Sequence, residues 1–188
     1  AGVGPTAPAE KIFALNFYAG TYIAEGLRPL LIKKKGCCVM TCSNTITNSI
    51  VRMDWVELLT NLRNRERGMD LARMIPKEKG PAAYSSSKCA LARWIRRASP
   101  NWAVDGLRIN GVAPGNTTTP MTKGMTEQQR NAALLIPIPT RYGTKEFLDA
   151  EEIANSIVFL ASRKASGING EILFVDGGID ALMHSERF

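Results

Sequence analysis

The sequence predicts an α/β fold built on a parallel sheet, and three observations carry that prediction. Short apolar runs at residues 37–42, 108–112 and 171–175 suit strands buried on both faces. Longer segments with apolar residues at helical spacing lie between them. Each run is also far from the next in sequence, as parallel pairing through crossover connections requires.

Taken in order, residues 1–8 are rich in Gly and Pro and read as loop. Gly2-Val3-Gly4 is rejected as a nucleotide fingerprint, because Pro5 and Pro8 follow and a third Gly is missing. From Lys11 to Lys35 the residues Ile12, Leu15, Tyr18 or Ala19, Tyr22 or Ile23, Leu27 and Leu30 form a helical stripe. Pro29 is expected to kink or break its last part, and Gly36 to close it. Asn16 is a polar residue inside this stripe, and on the residues alone an exposed or capping amide explains it as well as a functional one.

The strand at 37–42 follows, with Ser43 and Asn44 leaving its carboxyl end, where open α/β sheets place their chemistry. Residues 45–80 are long for a connection and carry their own stripe, Val51, Trp55, Leu58, Leu59 and Leu62. They are predicted to be a helical insertion, ended by Gly80-Pro81. The next helix is expected from Ala82 to about Ala98, with Pro100 and a turn after it. Tyr84 and Lys88 lie about one turn apart on it and project from one face. A phenol beside an ammonium is an acid/base pair, in which Lys88 favours the phenolate and lowers the Tyr84 pKa. Alone the pair is weak evidence, since a helix start can carry a Tyr and a solvated Lys.

After the strand at 108–112 comes the loop Pro114-Gly115-Asn116-Thr117-Thr118-Thr119-Pro120. Residues 121–148 suggest loosely held helical turns, where Met121, Met125, Leu134, Leu135 and Ile136 suit a lid over an apolar ligand or plain core packing. A well-formed helix is expected from Asp149 or Ala150 to Ser162, with Ile153, Ile157, Val158 and Leu160 as its stripe and Glu151 and Glu152 favourable near its start. The last strand, at 171–175, leaves through Asp176-Gly177-Gly178.

The 188 residues suffice for one domain with a sizeable core. A hydrophobic fraction of 45% and a charged fraction of 22% are those of an ordinary globular protein. Net charge is +7 and the pI about 9.4, which suits an acidic or phosphate-bearing partner or simply a basic surface. The basic residues are scattered and not interleaved with aromatics, so no nucleic-acid partner is expected. Cys37, Cys38, Cys42 and Cys89 lack metal-type spacing with the single His184, so no metal site is expected and the cysteines read as small apolar residues of a reducing, cytoplasmic setting. No apolar run reaches the roughly 18 residues of a membrane span, and no signal sequence opens the chain.

Together these segments resemble the short-chain dehydrogenase/reductase family over essentially the whole chain. Ala1-Gly2 resembles the end of its Asn-Ala-Gly motif, Asn16 its structural Asn, and Ser43 its catalytic serine. Tyr84 and Lys88 match its Tyr-x-x-x-Lys signature, with Ser87 directly before the Lys. Arg108-Ile109-Asn110, Pro114-Gly115, Gly170 and Asp176-Gly177-Gly178 match later motifs in the same order. The long interval from Ser43 to Tyr84, and the ending Asp176-Gly177-Gly178-Ile179-Asp180-Ala181-Leu182-Met183, are similar to the bacterial 3α-hydroxysteroid dehydrogenase/carbonyl reductase branch.

The resemblance implies a Rossmann-like doubly wound parallel sheet, of which this chain is expected to be the C-terminal part, a single domain over 1–188 with the insertion at 45–80. It implies hydride transfer between NAD or NADP and a secondary alcohol or ketone, and an apolar substrate such as a steroid. Tyr84 would be the acid/base. Lys88 would hold the nicotinamide ribose, Ser43 would donate to the substrate oxygen, and Asn16 would anchor a relay water behind Lys88. Gly2, Pro114, Gly115, Thr117 and Thr119 would contact the cofactor, although the extra Thr118 leaves the register of the threonines open. The family's Gly-rich phosphate turn, and the residue that chooses NAD or NADP, would lie upstream of Ala1. These residues alone are therefore expected to expose an unpaired sheet edge, bind the dinucleotide poorly and not turn over. The intact enzyme is expected to be a homo-oligomer. The competing reading is a non-catalytic relative that uses the fold as an interaction module.

Overall fold

The computed structural model describes residues 2–61, 65–144 and 146–186, so Ala1 and Leu62 of the readings above lie outside it. The elements run α1 (Ala9–Phe13), a π-helical stretch (Ala14–Ala19), α2 (Gly20–Lys34), β1 (Cys37–Thr41), a short 3-10 turn (Asn44–Thr47), α3 (Met53–Thr60) and α4 (Arg65–Met74). Then come α5 (Gly80–Val104), β2 (Arg108–Pro114), α6 (Pro120–Lys123), α7 (Glu127–Ala133), α8 (Ala150–Ala161), β3 (Ile172–Val175) and α9 (Ile179–Met183).

The three strands form a parallel sheet in the order β1-β2-β3. Cys37 pairs with Arg108 and Thr41 with Val112, while Gly111 pairs with Ile172 and Pro114 with Val175. Among the described residues the outer edge of β1 has no partner. Both faces of the sheet are covered, which is why β2 is buried almost throughout. On one face Phe13, Phe17, Leu91 and Ile95 pack with Ile109. On the other, Ile153 and Leu160 of α8 pack with Val112 and Phe147.

Helical spacing was a good guide to α2 but not to its orientation. Tyr22 is 77% exposed and Leu30 57%, and Ile23 and Leu27 also face outward. The side that meets the sheet is made of small residues: Thr21 and Ala24 are buried, and a Cβ on Gly20 would already touch Met40 Cε at 3.4 Å. Close approach selects small side chains there, and the large ones are left outside. Pro29 neither breaks nor ends the helix, and the left-handed residue that closes it is Lys35 (φ 48°), one position before Gly36.

α5 likewise runs through Pro100 to Val104. A proline there cannot supply the N–H for the Arg96 carbonyl, and Ser99 Oγ donates to that carbonyl at 3.0 Å instead. Beyond the proline, Trp102 is fully buried, its ring 5.5 Å from the Arg28 guanidinium and its indole N–H 3.2 Å from Glu25. Burying such a side chain is worth about 3 kcal/mol, similar to the cost of an interior proline.

Among the described residues of 45–80 are the helices α3 and α4. α3 buries Trp55, Val56 and Leu59 against α5, with Leu58 only partly buried, and α4 packs on α1 and α3. On α8 the buried residues are Ile153 and Leu160, whereas Val158 is 66% exposed. Asp149 caps α8 in a reciprocal pair with Glu152.

Candidate active site

A parallel sheet sends all its carboxyl ends to one side, and that side holds a cavity here. β1 delivers Ser43, β2 delivers Pro114 and Gly115, β3 delivers Asp176, and the first turns of α5 point Tyr84 and Lys88 into the same space. The result is a cavity of about 620 Å³ whose walls include Gly2, Thr41, Ser43, Tyr84, Lys88, Gly115 and Thr117. Ser43 and Lys88 are each only 7% exposed. Ser43 and Tyr84, 41 positions apart in sequence, thus share one cavity.

Lys88, Ser43 and Asn16 each have hydrogen-bond partners. Lys88 Nζ donates to the Thr41 carbonyl at 2.8 Å. Burial lowers the Lys88 pKa below 10.5. Ser43 Oγ accepts from Thr45 N–H at 3.3 Å and Thr45 Oγ at 3.1 Å. Asn16 sits in the π-helical stretch, an irregularity common at functional sites. Its amide clamps the backbone of Val3, accepting from Val3 N at 2.8 Å and donating to Val3 O at 2.9 Å. That clamp brings Gly2 to the site, where a Cβ would lie 2.9 Å from Asn16 Oδ1 and 3.9 Å from Lys88 Nζ.

Tyr84 departs from the sequence expectation. Its pKa is raised above 10.0 instead of lowered, because burial of the phenolate outweighs the hydrogen bond from Ser43 that favours it, and the neighbouring Cys42 raises it further. The Lys88 ammonium, assigned that lowering role from sequence, is bonded to Thr41. Tyr84 is therefore held as a neutral phenol at pH 7.

The proposed cofactor contacts divide. Gly115 lines the cavity and approaches the exit of β3 so closely that a Cβ would meet Asp176 Cβ at 2.7 Å. Thr117 lines the cavity while its hydroxyl donates to the Gly115 carbonyl at 2.9 Å. Thr119 also lines it but caps α6, exchanging bonds with Thr122. Of the lid candidates, Met125 lines the cavity, whereas Leu135 is 81% exposed and Ile136 38%; the side chain of Met121 is not among those described.

Sequence reasoning did not place several residues at or beside the cavity. Ile153, Ala154 and Ile157 of α8 form an apolar wall, with Ile50 and Pro81 from elsewhere. Asp176 accepts from Asn44 at 3.4 Å and from the N–H groups of Gly178 and Asp180 at 3.0 and 2.8 Å, tying the exit of β3 to the turn after Ser43. Thr45 could have been noticed as a hydroxyl two residues after a serine at a strand exit, an ordinary local-turn pattern.

The family model described as Enoyl-(Acyl carrier protein) reductase matches residues 69–180. The 3-alpha-hydroxysteroid dehydrogenase/carbonyl reductase of Comamonas testosteroni is 27% identical over 191 aligned positions, covering 100% of this chain and 73% of that protein. The 2-dehydro-3-deoxy-D-gluconate 5-dehydrogenase of Bacillus subtilis is 40% identical over 98 residues, 51% of this chain and 37% of the relative. The crystal structure of the 3-alpha-hydroxysteroid dehydrogenase from Pseudomonas sp. B-0831 complexed with NADH superposes with a TM-score of 0.88 at 30% identity, covering 100% of this chain and 73% of that one. The chain belongs to the short-chain dehydrogenase/reductase family, oxidoreductases whose cofactor is NAD or NADP. Among the described residues no helix is long and apolar enough to cross a membrane.

The donor set fits the nicotinamide-ribose end of such a cofactor. The Lys88 ammonium, the Tyr84 phenol, glycine backbone at Gly2 and Gly115, and Thr117 all line this one cavity.

Proposed function

We propose that this cavity exchanges hydride and a proton between NAD(H) or NADP(H) and an apolar secondary alcohol or ketone, with a 3α-hydroxysteroid as the first candidate substrate. The observation that carries the reading is the convergence of Ser43, Tyr84 and Lys88 on one cavity.

A bound nicotinamide supplies or accepts the hydride. In ketone reduction, Tyr84, neutral at pH 7, gives its proton to the substrate oxygen; in alcohol oxidation its phenolate takes that proton back. Ser43 donates to the same oxygen and stabilises the charge that develops on it. Lys88, its ammonium bonded to the Thr41 carbonyl, would hold the ribose hydroxyls. Asn16 fixes the loop that brings Gly2 to the ribose and, in this reading, anchors the relay water behind Lys88. Residues 45–80 serve as an insertion that lends Ile50 to the substrate wall.

The apolar wall of Ile50, Pro81, Met125, Ile153 and Ile157 supports a large apolar substrate over a sugar acid. The names of the Comamonas and Pseudomonas relatives point the same way. Kinetics on the intact gene product, comparing a 3α-hydroxysteroid with small ketones and sugar acids, test this. A steroid kcat/KM above the others is expected. Turnover of sugar acids alone would overturn the substrate assignment, and no nicotinamide binding would favour the interaction-module reading.

A further inference from the structure

We infer that Thr45 is a positioning residue that fixes which way the Ser43 hydroxyl points, an inference that rests on the cavity being the reaction site. A serine hydroxyl has one proton to give and two lone pairs that accept. Thr45 addresses both lone pairs, through its own N–H at 3.3 Å and its hydroxyl at 3.1 Å. With its acceptor sites taken, Ser43 keeps only its proton, and the cavity holding the Tyr84 oxygen is where that proton goes. Ser43 is therefore a donor in every protonation state of the site.

The alternative that Thr45 removes is specific and damaging. A Ser43 with a vacant lone pair would accept the Tyr84 proton in a hydrogen bond, and ketone reduction needs that proton for the substrate oxygen. With the direction fixed, the Ser43 proton is always available to a phenolate or to charge developing on substrate. Tyr84 keeps its own proton aimed at the substrate.

The turn that holds Thr45 is anchored from both sides. Thr47 Oγ donates to Asp180 at 2.6 Å, and the Asn44 amide donates to Asp176 at 3.4 Å. Thr45 itself lines the cavity. None of these contacts is needed to close the 3-10 turn, whose own backbone bonds run from Ile46 N to Ser43 O and from Asn48 N to Thr45 O.

The test replaces the hydroxyl while keeping the shape. In Thr45→Val the N–H donor stays and the O–H donor goes; Thr45→Ser keeps both. The primary readout is the Tyr84 phenol titration, followed by NMR of ring-labelled tyrosine. The four tyrosines make assignment with Tyr84→Phe direct. Thr45→Val should raise the Tyr84 midpoint by roughly half a pH unit, because Ser43 no longer donates without competition, and Thr45→Ser should restore it. In turnover on the intact gene product, Thr45→Val should lose about tenfold in kcat at unchanged KM. A Thr45→Val titration superimposed on the unmutated protein, or a Thr45→Ser variant that behaves like Val, overturns the assignment. An unmutated protein that binds no nicotinamide and reduces no ketone defeats the catalytic reading instead, and the titration still decides the Thr45–Ser43–Tyr84 geometry.

Discussion

Replacing Gly115 with alanine tests the architecture under the cavity. Gly115 does not need a left-handed backbone, so the added methyl is the whole perturbation. That methyl would lie 2.7 Å from Asp176 Cβ and 2.8 Å from Asp176 Cα, and a backbone atom cannot swing aside. Relief requires the exits of β2 and β3 to separate by several tenths of an ångström, against the bond from Gly115 N to the Val175 carbonyl at 3.0 Å. Overpacking of this kind costs about 1–3 kcal/mol, while the lower entropy of an unfolded alanine returns about 0.4–1 kcal/mol. A net loss of about 1–2 kcal/mol follows, or a fall in Tm of roughly 2–8 °C for a chain of this size. Gly124→Ala is the control, since its methyl meets nothing within 4 Å and should leave Tm level or slightly higher. Urea unfolding of both variants gives the comparison. Equal stability of Gly115→Ala and Gly124→Ala would show that the close approach of Gly115 to Asp176 is not a real constraint.

Three further outcomes follow from the buried ionisable groups. Burial penalises the charge on Lys88, so Lys88→Met should leave Tm unchanged or raise stability by up to about 1 kcal/mol while weakening NAD(P)H binding; a loss above about 2 kcal/mol in urea unfolding would refute this. Cys42 is held protonated to about pH 12 against 9.0 when unfolded. The unfolded chain therefore binds fewer protons over that range, and stability falls as pH rises from 9 towards 12, by roughly 4 kcal/mol in full. Lys88, with its folded pKa lowered, acts in the opposite sense up to its unfolded value of 10.5. Cys42→Ala should flatten the alkaline decline, read as Tm against pH. Finally, because the Tyr84 pKa is raised, ketone reduction should be flat across neutral pH and alcohol oxidation should climb steadily on the alkaline side. An oxidation rate already level at pH 7 would contradict a neutral Tyr84.

Much of the fold was legible because strand and helix periods differ. The three apolar runs became β1, β2 and β3, and the helix carrying Tyr84 and Lys88 lay where spacing put it. What periodicity omits is which apolar side faces in. On α2 the choice went to Thr21 and Ala24, since a helix packed tightly on a sheet needs small residues there. Pro100 misled because its effect on α5 depends on Ser99 and Trp102, partners that no local rule anticipates. At the site, Ser43, Tyr84 and Lys88 were readable from pattern and order. The direction of the Tyr84 pKa was not, because it is a contest between burial and hydrogen bonding that only the packed structure decides. Thr45 stayed hidden because its meaning lies in which lone pairs it occupies.

The most direct test is hydride transfer by the intact gene product, with Tyr84→Phe beside the unmutated protein. Removing one hydroxyl from the cavity floor should cost about 10²–10⁴ in kcat, with NAD(P)H binding and Tm essentially retained. A Tyr84→Phe variant that turns over at the unmutated rate would contradict the assignment of this cavity as the place where the proton is passed.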